Sequence, residues 1–514
     1  MSGPESRVES PESGVVSDTR RGYAGYALGL LTVINLLNYV ERNAIFALFE
    51  PLKRDLSLTD AHLGWLASAY VLVFSIASLP LGVLSDMRSR PAVIAAGVGL
   101  WSICTSAGGL VRGFLPLLLT RAGVGLGGAA AGAASTSLVA TYFEGPRRAL
   151  AMGVFMAGIP LGGVLGILIA GQLGVAYGWR VAFLALGVPG FMVGALAARL
   201  IDPSRAGGSL LSLGSTLQEL RAGGAALASS FRYLLLGLAA GSVAALGFHI
   251  SLGKDTSADA AALGTLAAIG LALDVRRWVR RAGGSDTPDG SDEDAAFTTA
   301  SRGLAEAAQV VLKTPTLLYV FAGGALISFG MNGIIGWAPS FMSRELGLSV
   351  GAVTLLLGKY GLIFGIAGTL AGGAIADGLR KKLPAARPLV AGAGFLIGAP
   401  LAIWLLTIRD IDMFIPVFCA AFFFLTWYNG PLSATIFDVV PPAIGGTVVG
   451  AYLFFIHLAG DAIAFPLVGA LSDRFGLEYA MFLLPIVAMV GGVLVLFAAR
   501  SVVRDGLRMP VQTA

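Results

Sequence analysis

Charge is scarce in this chain. Asp, Glu, Lys and Arg make up 13% of its 514 residues, about half the roughly 25% usual in a soluble domain. A fold wetted over its whole surface is therefore excluded. Cysteine is scarcer still: Cys104 and Cys419 both stand in apolar runs, which excludes a disulfide framework and a thiolate metal site. The first 21 residues are polar and lack the apolar core of a signal peptide. No phosphate-binding loop, nucleophile–base pair or metal-ligand cluster occurs in any loop, so neither ATP hydrolysis, nor an enzyme, nor a cofactor is expected. The net charge of +5 comes from loop arginines and is no footprint for nucleic acid.

Apolar sequence fills the space that charge leaves. It makes up 56% of the chain, much of it in runs of about 20 residues, long enough to cross roughly 30 Å of hydrocarbon. The expected class is an all-α polytopic membrane protein. Spans are expected at about 24–49, 61–84, 91–111, 115–141, 149–176 and 180–200, and again at about 317–340, 351–375, 386–408, 411–437, 444–470 and 478–499. Many of the 71 glycines fall inside these runs, where small residues let helix backbones approach closely.

Lys and Arg set the expected orientation. Arg20, Arg21, Arg88, Arg90, Arg147, Arg148, Arg380 to Lys382, Arg500, Arg504 and Arg508 fall on one side. The other side holds scattered residues such as Arg112, Arg180, Arg344 and Arg474, with one pair at Lys53 and Arg54. Both termini are expected in the cytoplasm, and the protein in the cell membrane (plasma or inner). SLPLGVLSDMRSRP and LAGGAIADGLRKKLP close the second span of each set of six, which suggests parallel repeats with a substrate site between them. The expected units are a tail (1–21), a six-helix bundle (22–201), a central insert (202–315), a second bundle (316–500) and a tail (501–514). The insert contains apolar stretches at 231–250 and 260–275, then an acidic linker. An extra transmembrane hairpin, fourteen spans in all, preserves the orientation of the second half; an interfacial pair is the alternative.

Glu41 and Arg42 stand side by side in span 1. At about 100° per residue they cannot face each other, so each needs a partner elsewhere or a water-filled cavity. Counting about 1.5 Å per residue from the span ends puts Arg42, Arg121, Asn332, Lys359 and Asp461 at one depth, a belt around a cavity. Two arginines beside one acid suit an anion with a protonatable neighbour. A structural alternative stays open, with Lys359 and Asp461 as an ion pair and Asn332 as a helix bridge. His457 reads equally as packing or as a proton carrier. Asn38, Tyr39, Tyr428 and Asn429 are further candidate lining residues, the last two beside a break at Gly430-Pro431. Asp86, with Arg88 and Arg90, stands where a carboxylate can hold a helix N-terminus; Asp377 occupies the matching place in the second half.

These motifs resemble a known family. GVLSDMRSRP and GIPLGG are similar to signatures of the major facilitator superfamily. NYVER, LLTRAGVGLGGA, GWRVAF and HLAGDAIAFPLVGALSDRFG resemble its Spinster subfamily. The resemblance covers about 24–200 and 317–500 and implies two six-helix bundles. It also implies transport of lysophospholipids or phosphorylated sphingoid lipids, driven by protons. Carried over by position, Glu41 would take the proton, Arg42 would pair in the cavity, Arg121 would serve coupling, and Asp86 and Arg90 would hold the cytoplasmic gate. Gly128 stands where the family places a second acid, so Glu41 works alone, or Asp461 takes that role, or coupling is lost. The expected function is proton-coupled export of an amphipathic anion or lysolipid by alternating access. Alternatives are a small-organic-anion symporter, a multidrug/proton antiporter, and a receptor or scaffold that has lost transport. The expected partners are the substrate and the bilayer, with the protein a monomer.

Overall fold

A computed structural model describes residues 12–143, 146–203 and 307–508, with six isolated positions between 204 and 306. Among the described residues, twelve helices are long and apolar enough to cross a membrane. Spans 1 to 6 are Gly22–Ala47, Asp60–Ser78, Arg90–Gly108, Phe114–Tyr142, Leu150–Tyr177 and Trp179–Ala197. Spans 7 to 12 are Pro315–Glu345, Val350–Arg380, Ala386–Leu405, Ile411–Val439, Ile444–Phe475 and Leu477–Ala498. The helix of span 2 continues to Met87. The hairpin expected at 231–250 and 260–275, and with it the count of fourteen spans, lies outside the described residues.

The internal repeat is visible in backbone geometry. Spans 5 and 6 meet at Gly178 with φ 85°, and spans 11 and 12 meet at Gly476 with φ 90°. Both turns need the left-handed region that glycine enters without steric cost, so each half reverses direction at the same place with the same device.

GIPLGGVLG is a packing surface. Its Gly158, Gly162 and Gly166 lie along one face of span 5, against span 1. A Cβ added at Gly162 would stand 2.4 Å from the Leu36 carbonyl oxygen, and one at Gly166 would stand 2.3 Å from that of Val40. Spans 1 and 5 thus touch backbone to backbone, an approach that any larger residue would prevent.

The two ends of the bundle differ. At one end the halves are latched. Arg344, near the end of span 7, donates to Glu50 at 2.8 Å and to both oxygens of Asp60 at 2.7 and 2.8 Å. Lys53 reaches Asp60 at 2.6 Å, and the Asp473 carboxylate accepts from the Asp60 and Ala61 amides at the start of span 2. Beneath this latch spans 2 and 11 cross on glycine: a Cβ on Gly64 would lie 2.3 Å from the Phe465 oxygen, and one on Gly469 would lie 2.3 Å from that of Asp60. Gln172 of span 5 donates to the Gly351 oxygen and Thr354 hydroxyl of span 8. At the other end a cavity of about 980 Å³ lies between the halves, its lining running from Asn43 past Ser85, Ala140 and Ser433. It opens on the side carrying Arg88, Arg90, Arg147 and Arg148.

Gly64→Val should drive spans 2 and 11 apart at a cost of about 1–3 kcal/mol. A cysteine at the buried Ser340, in a chain freed of Cys104 and Cys419, should then react with a soluble maleimide roughly tenfold faster. Unchanged labelling would mean that this crossing does not keep the end shut.

Candidate functional site

Span 1 carries the site because two of its faces meet different surroundings. Asn38, Tyr39 and Arg42 line the cavity. Glu41, about 100° around the helix, is turned into the first half and is 1% exposed. Thr105 of span 3 donates its hydroxyl to Glu41 Oε2, while Oε1 has no hydrogen-bond partner among the described residues. Arg121 of span 4, also 1% exposed, donates to main-chain oxygens of span 1: that of Glu41 at 3.3 Å and that of Arg42 at 3.1 Å. Arg121 therefore clamps the backbone beneath the site and does not line the cavity.

Tyr70 of span 2 joins the two arginines. Its ring lies 5.4 Å from the Arg42 guanidinium and 5.8 Å from that of Arg121, within cation–π range. Its hydroxyl donates to Asn38 Oδ1 at 3.1 Å. Gly128 faces this pair: a Cβ there would stand 2.6 Å from Asn38 Nδ2. The place where the resemblance puts a second acid is thus filled by Asn38 and Tyr70.

Arg42 reaches across to the second half. Its Nη2 lies 3.3 Å from Asp461 Oδ2, with Asp461 fully buried. His457 Nδ1 meets the same oxygen at 2.8 Å, Ser328 donates to Oδ1 at 2.9 Å, and Asn332 donates to Ser328 at 3.1 Å. His457 and Asp461 bound a π-helical turn, and His457 and Asn332 line the cavity. A buried ion pair survives only when further hydrogen bonds satisfy the remaining lone pairs, and Ser328 and His457 supply them. Arg42, Asp461, His457, Ser328 and Asn332 form one polar cluster at the blind end of the cavity. Apolar walls such as Phe74, Phe155, Ile159, Phe418 and Phe422 run from there to the mouth.

Lys359 requires a correction. It shares the depth of this cluster but neither lines the cavity nor meets Asp461, whose oxygens are taken by Arg42, His457 and Ser328. Depth does not determine direction: Leu357, Gly361 and Gly365 take the cavity face of span 8, and Lys359 is exposed on the other face. Tyr428 and Asn429 line the cavity, where Asn429 Nδ2 donates to Thr369 Oγ1 at 3.1 Å. The helix break of span 10 comes at Thr426–Tyr428, just before Gly430-Pro431.

At the open end, Arg90 donates to Thr141 at 3.1 Å and to Asp202 at 3.4 Å. Arg88 is half-buried, and the Asp86 side chain lies outside the described ones. Asp377 pairs with Arg387 at 3.1 Å, and Arg387 and Arg380 each reach Asp438 at 2.6 Å. These bonds stay within their own halves, in contrast to the latch at the closed end. Sequence reasoning missed Tyr70, Thr105 and Ser328, single polar residues in apolar helices that nothing local distinguishes. The His457–Asp461 spacing of four, one helical turn, was the available sign of their contact.

The profile of the Major Facilitator Superfamily matches residues 31–460. The chain belongs to that superfamily. It is a secondary transporter and not an enzyme. An MFS-type efflux pump of Mycolicibacterium smegmatis is 25% identical over 92% of this chain and 89% of its own length. Protein spinster homolog 3 of Danio rerio is 23% identical over 98% and 89%, and sphingosine-1-phosphate transporter SPNS2 of Xenopus tropicalis 24% over 93% and 82%. The crystal structure of a bacterial homolog of the human lysosomal transporter Spinster, inward-facing and unoccupied, superposes with a TM-score of 0.69 at 21% identity, covering 94% of this chain and 98% of that one. The relatives of this facilitator include Spinster proteins, as the motifs implied.

Neutralising Arg42 or Asp461 alone should each cost about 3–5 kcal/mol, because each leaves a buried charge unpaired. The double variant Arg42→Gln/Asp461→Asn should unfold at a higher temperature than either single variant. Strictly additive losses in thermal unfolding would mean that the two charges do not meet.

Proposed function

We propose that this transporter moves an amphipathic anion, of the lysolipid kind, by alternating access coupled to protons. One observation carries the reading: a cavity between the halves where, among the described lining residues, Arg42 is the one arginine or lysine, in a polar cluster at the blind end, with apolar walls to the mouth. An anionic headgroup suits Arg42, Asn38 and Asn332, and a hydrocarbon tail suits the phenylalanine walls. Small organic anions would leave those walls wet. The sphingosine-1-phosphate transporters among the relatives support the same class of substrate.

The arginine-rich end is read as cytoplasmic by the positive-inside rule. On that reading the cavity faces inward, both termini are cytoplasmic, and the structure is the state that loads from inside the cell membrane. The units 22–201 and 316–500 are taken as the two rocking bodies, hinged by release of the Arg344–Asp60 latch, with the protein working as a monomer. Asp86, Arg88, Arg90 and Asp377 would re-pair at the open end when it closes.

Coupling is assigned to two protonatable places. Glu41 has one oxygen free to take a proton, and Asp461 with His457 competes with the substrate for Arg42. The span-5 glycine motif supports export in exchange for protons. The Arg42–Asp461 pair supports a second reading: an anion that takes Arg42 leaves Asp461 to a proton, so anion and proton bind together and travel in one direction.

Uptake of a labelled lysolipid into proteoliposomes with an imposed pH gradient separates these readings. Exchange predicts accumulation in vesicles acidic inside, and cotransport predicts it in vesicles alkaline inside. At one proton per substrate, a gradient of about two pH units sustains up to roughly a hundredfold accumulation. Glu41→Gln should abolish the response if Glu41 couples, and Asp461→Asn should abolish it if Asp461 does. Transport of short organic acids in place of lysolipid would overturn the substrate class.

A further inference from the structure

Lys359 is a cation that the transport cavity does not use. It stands in span 8 nine residues past Val350, about 13 Å along the helix from the closed end. Its neighbours on that face are Leu355, Ile363 and Leu370, 57%, 56% and 67% exposed, so the lysine sits in a stripe that meets lipid. No carboxylate pairs with it among the described residues; its ammonium lies 5.0 Å from the ring centre of Tyr360. A charge facing hydrocarbon is expensive and normally finds a partner or reaches the interface.

The local backbone aims it. Leu357–Gly361 form a π-helical turn, a feature concentrated at functional sites. Side chains of a helix lean toward its N-terminus, which for span 8 is the closed end, so the stem of Lys359 extends toward the headgroups of the nearer leaflet. Span 5 lies alongside. A Cβ on Gly358 would stand 3.5 Å from Leu168, and Gln172 bonds to Thr354 and Gly351, about one and two turns above. Lys359 thus marks the seam where the two halves meet on the bilayer side.

We propose that Lys359 is a binding site for the anionic headgroup of a membrane lipid, seated on the outer wall at the seam of spans 5 and 8. The phosphate takes the ammonium, and the acyl chains lie on Leu355 and Ile363. The partner is a lipid and not a soluble anion, because the apolar stripe continues on both sides of the charge.

The test uses the delipidated full chain in detergent with phosphatidylglycerol or phosphatidylcholine of matched tails, read by native mass spectrometry and thermal unfolding. Wild type should retain one more phosphatidylglycerol than Lys359→Met, with about tenfold weaker retention in the variant, as expected for one charge-assisted contact. Lys359→Arg should behave as wild type, and phosphatidylcholine should not discriminate. Equal phosphatidylglycerol retention by wild type and Lys359→Met would overturn the site. Equal stabilisation by glycerol phosphate would overturn the lipid as its occupant. Lys359→Gln gives the same comparison if the Met variant does not fold.

Discussion

A charge that cannot reach water must find its counterpart inside the protein, and in this chain the counterpart of the fully buried Asp461 is Arg42, in the other half. The Arg42–Asp461 pair is fixed by that requirement. Arg42 is held between the rings of Tyr39 and Tyr70, its guanidinium 5.5 and 5.4 Å from their centres, and Asp461 is held by Ser328 and His457. Neither half can bury its own member of the pair alone without a large cost. The two bundles therefore meet at the cavity's blind end for an electrostatic reason as well as through apolar contact.

The same requirement explains why the substrate cavity has a chemical direction. Once Asp461 has taken Arg42, the described lining of the cavity holds no uncompensated arginine or lysine. On the proposed function a substrate anion would take the place of Asp461 beside Arg42, leaving Asp461 with Ser328 and with His457 at 2.8 Å. On the proposed function, competition for one arginine would link substrate, proton and the contact between halves within a few ångströms. Arg121 contributes from behind by holding the span-1 carbonyls, so the backbone carrying Arg42 is fixed in place.

Much of this was legible in the sequence. Apolar length located the twelve spans within a few residues, and the glycines of GIPLGGVLG marked a close helix contact. Glu41, Arg42, Arg121, Asn332 and Asp461 were legible as buried polar groups at one depth, because rise per residue is nearly constant. What a linear count cannot supply is azimuth. Glu41 and Arg42 share a depth yet face Thr105 and Asp461, and Lys359 shares it yet faces lipid. Azimuth depends on which helix packs where and on two π-turns, each of which rotates the rest of its helix by most of a residue. The partner of Arg42, 419 residues away, was invisible for the same reason.

The π-turns connect these points. Leu357–Gly361 and His457–Asp461 both lie in second-half helices at the level of the ion pair. Each interrupts the regular stagger of side chains, and within the second His457 Nδ1 still meets Asp461 Oδ2 at 2.8 Å. Such an irregularity weakens local backbone bonding and persists only where the surroundings hold it, here Ser328, Arg42 and the Gly460 contact with span 7. The close approach at Gly460, where a Cβ would lie 2.7 Å from the Ala325 oxygen, keeps the π-turn pressed against span 7. Loss of the ion pair when the halves separate would then release one of the three contacts that hold the turn, coupling the shape of span 11 to the state of Arg42.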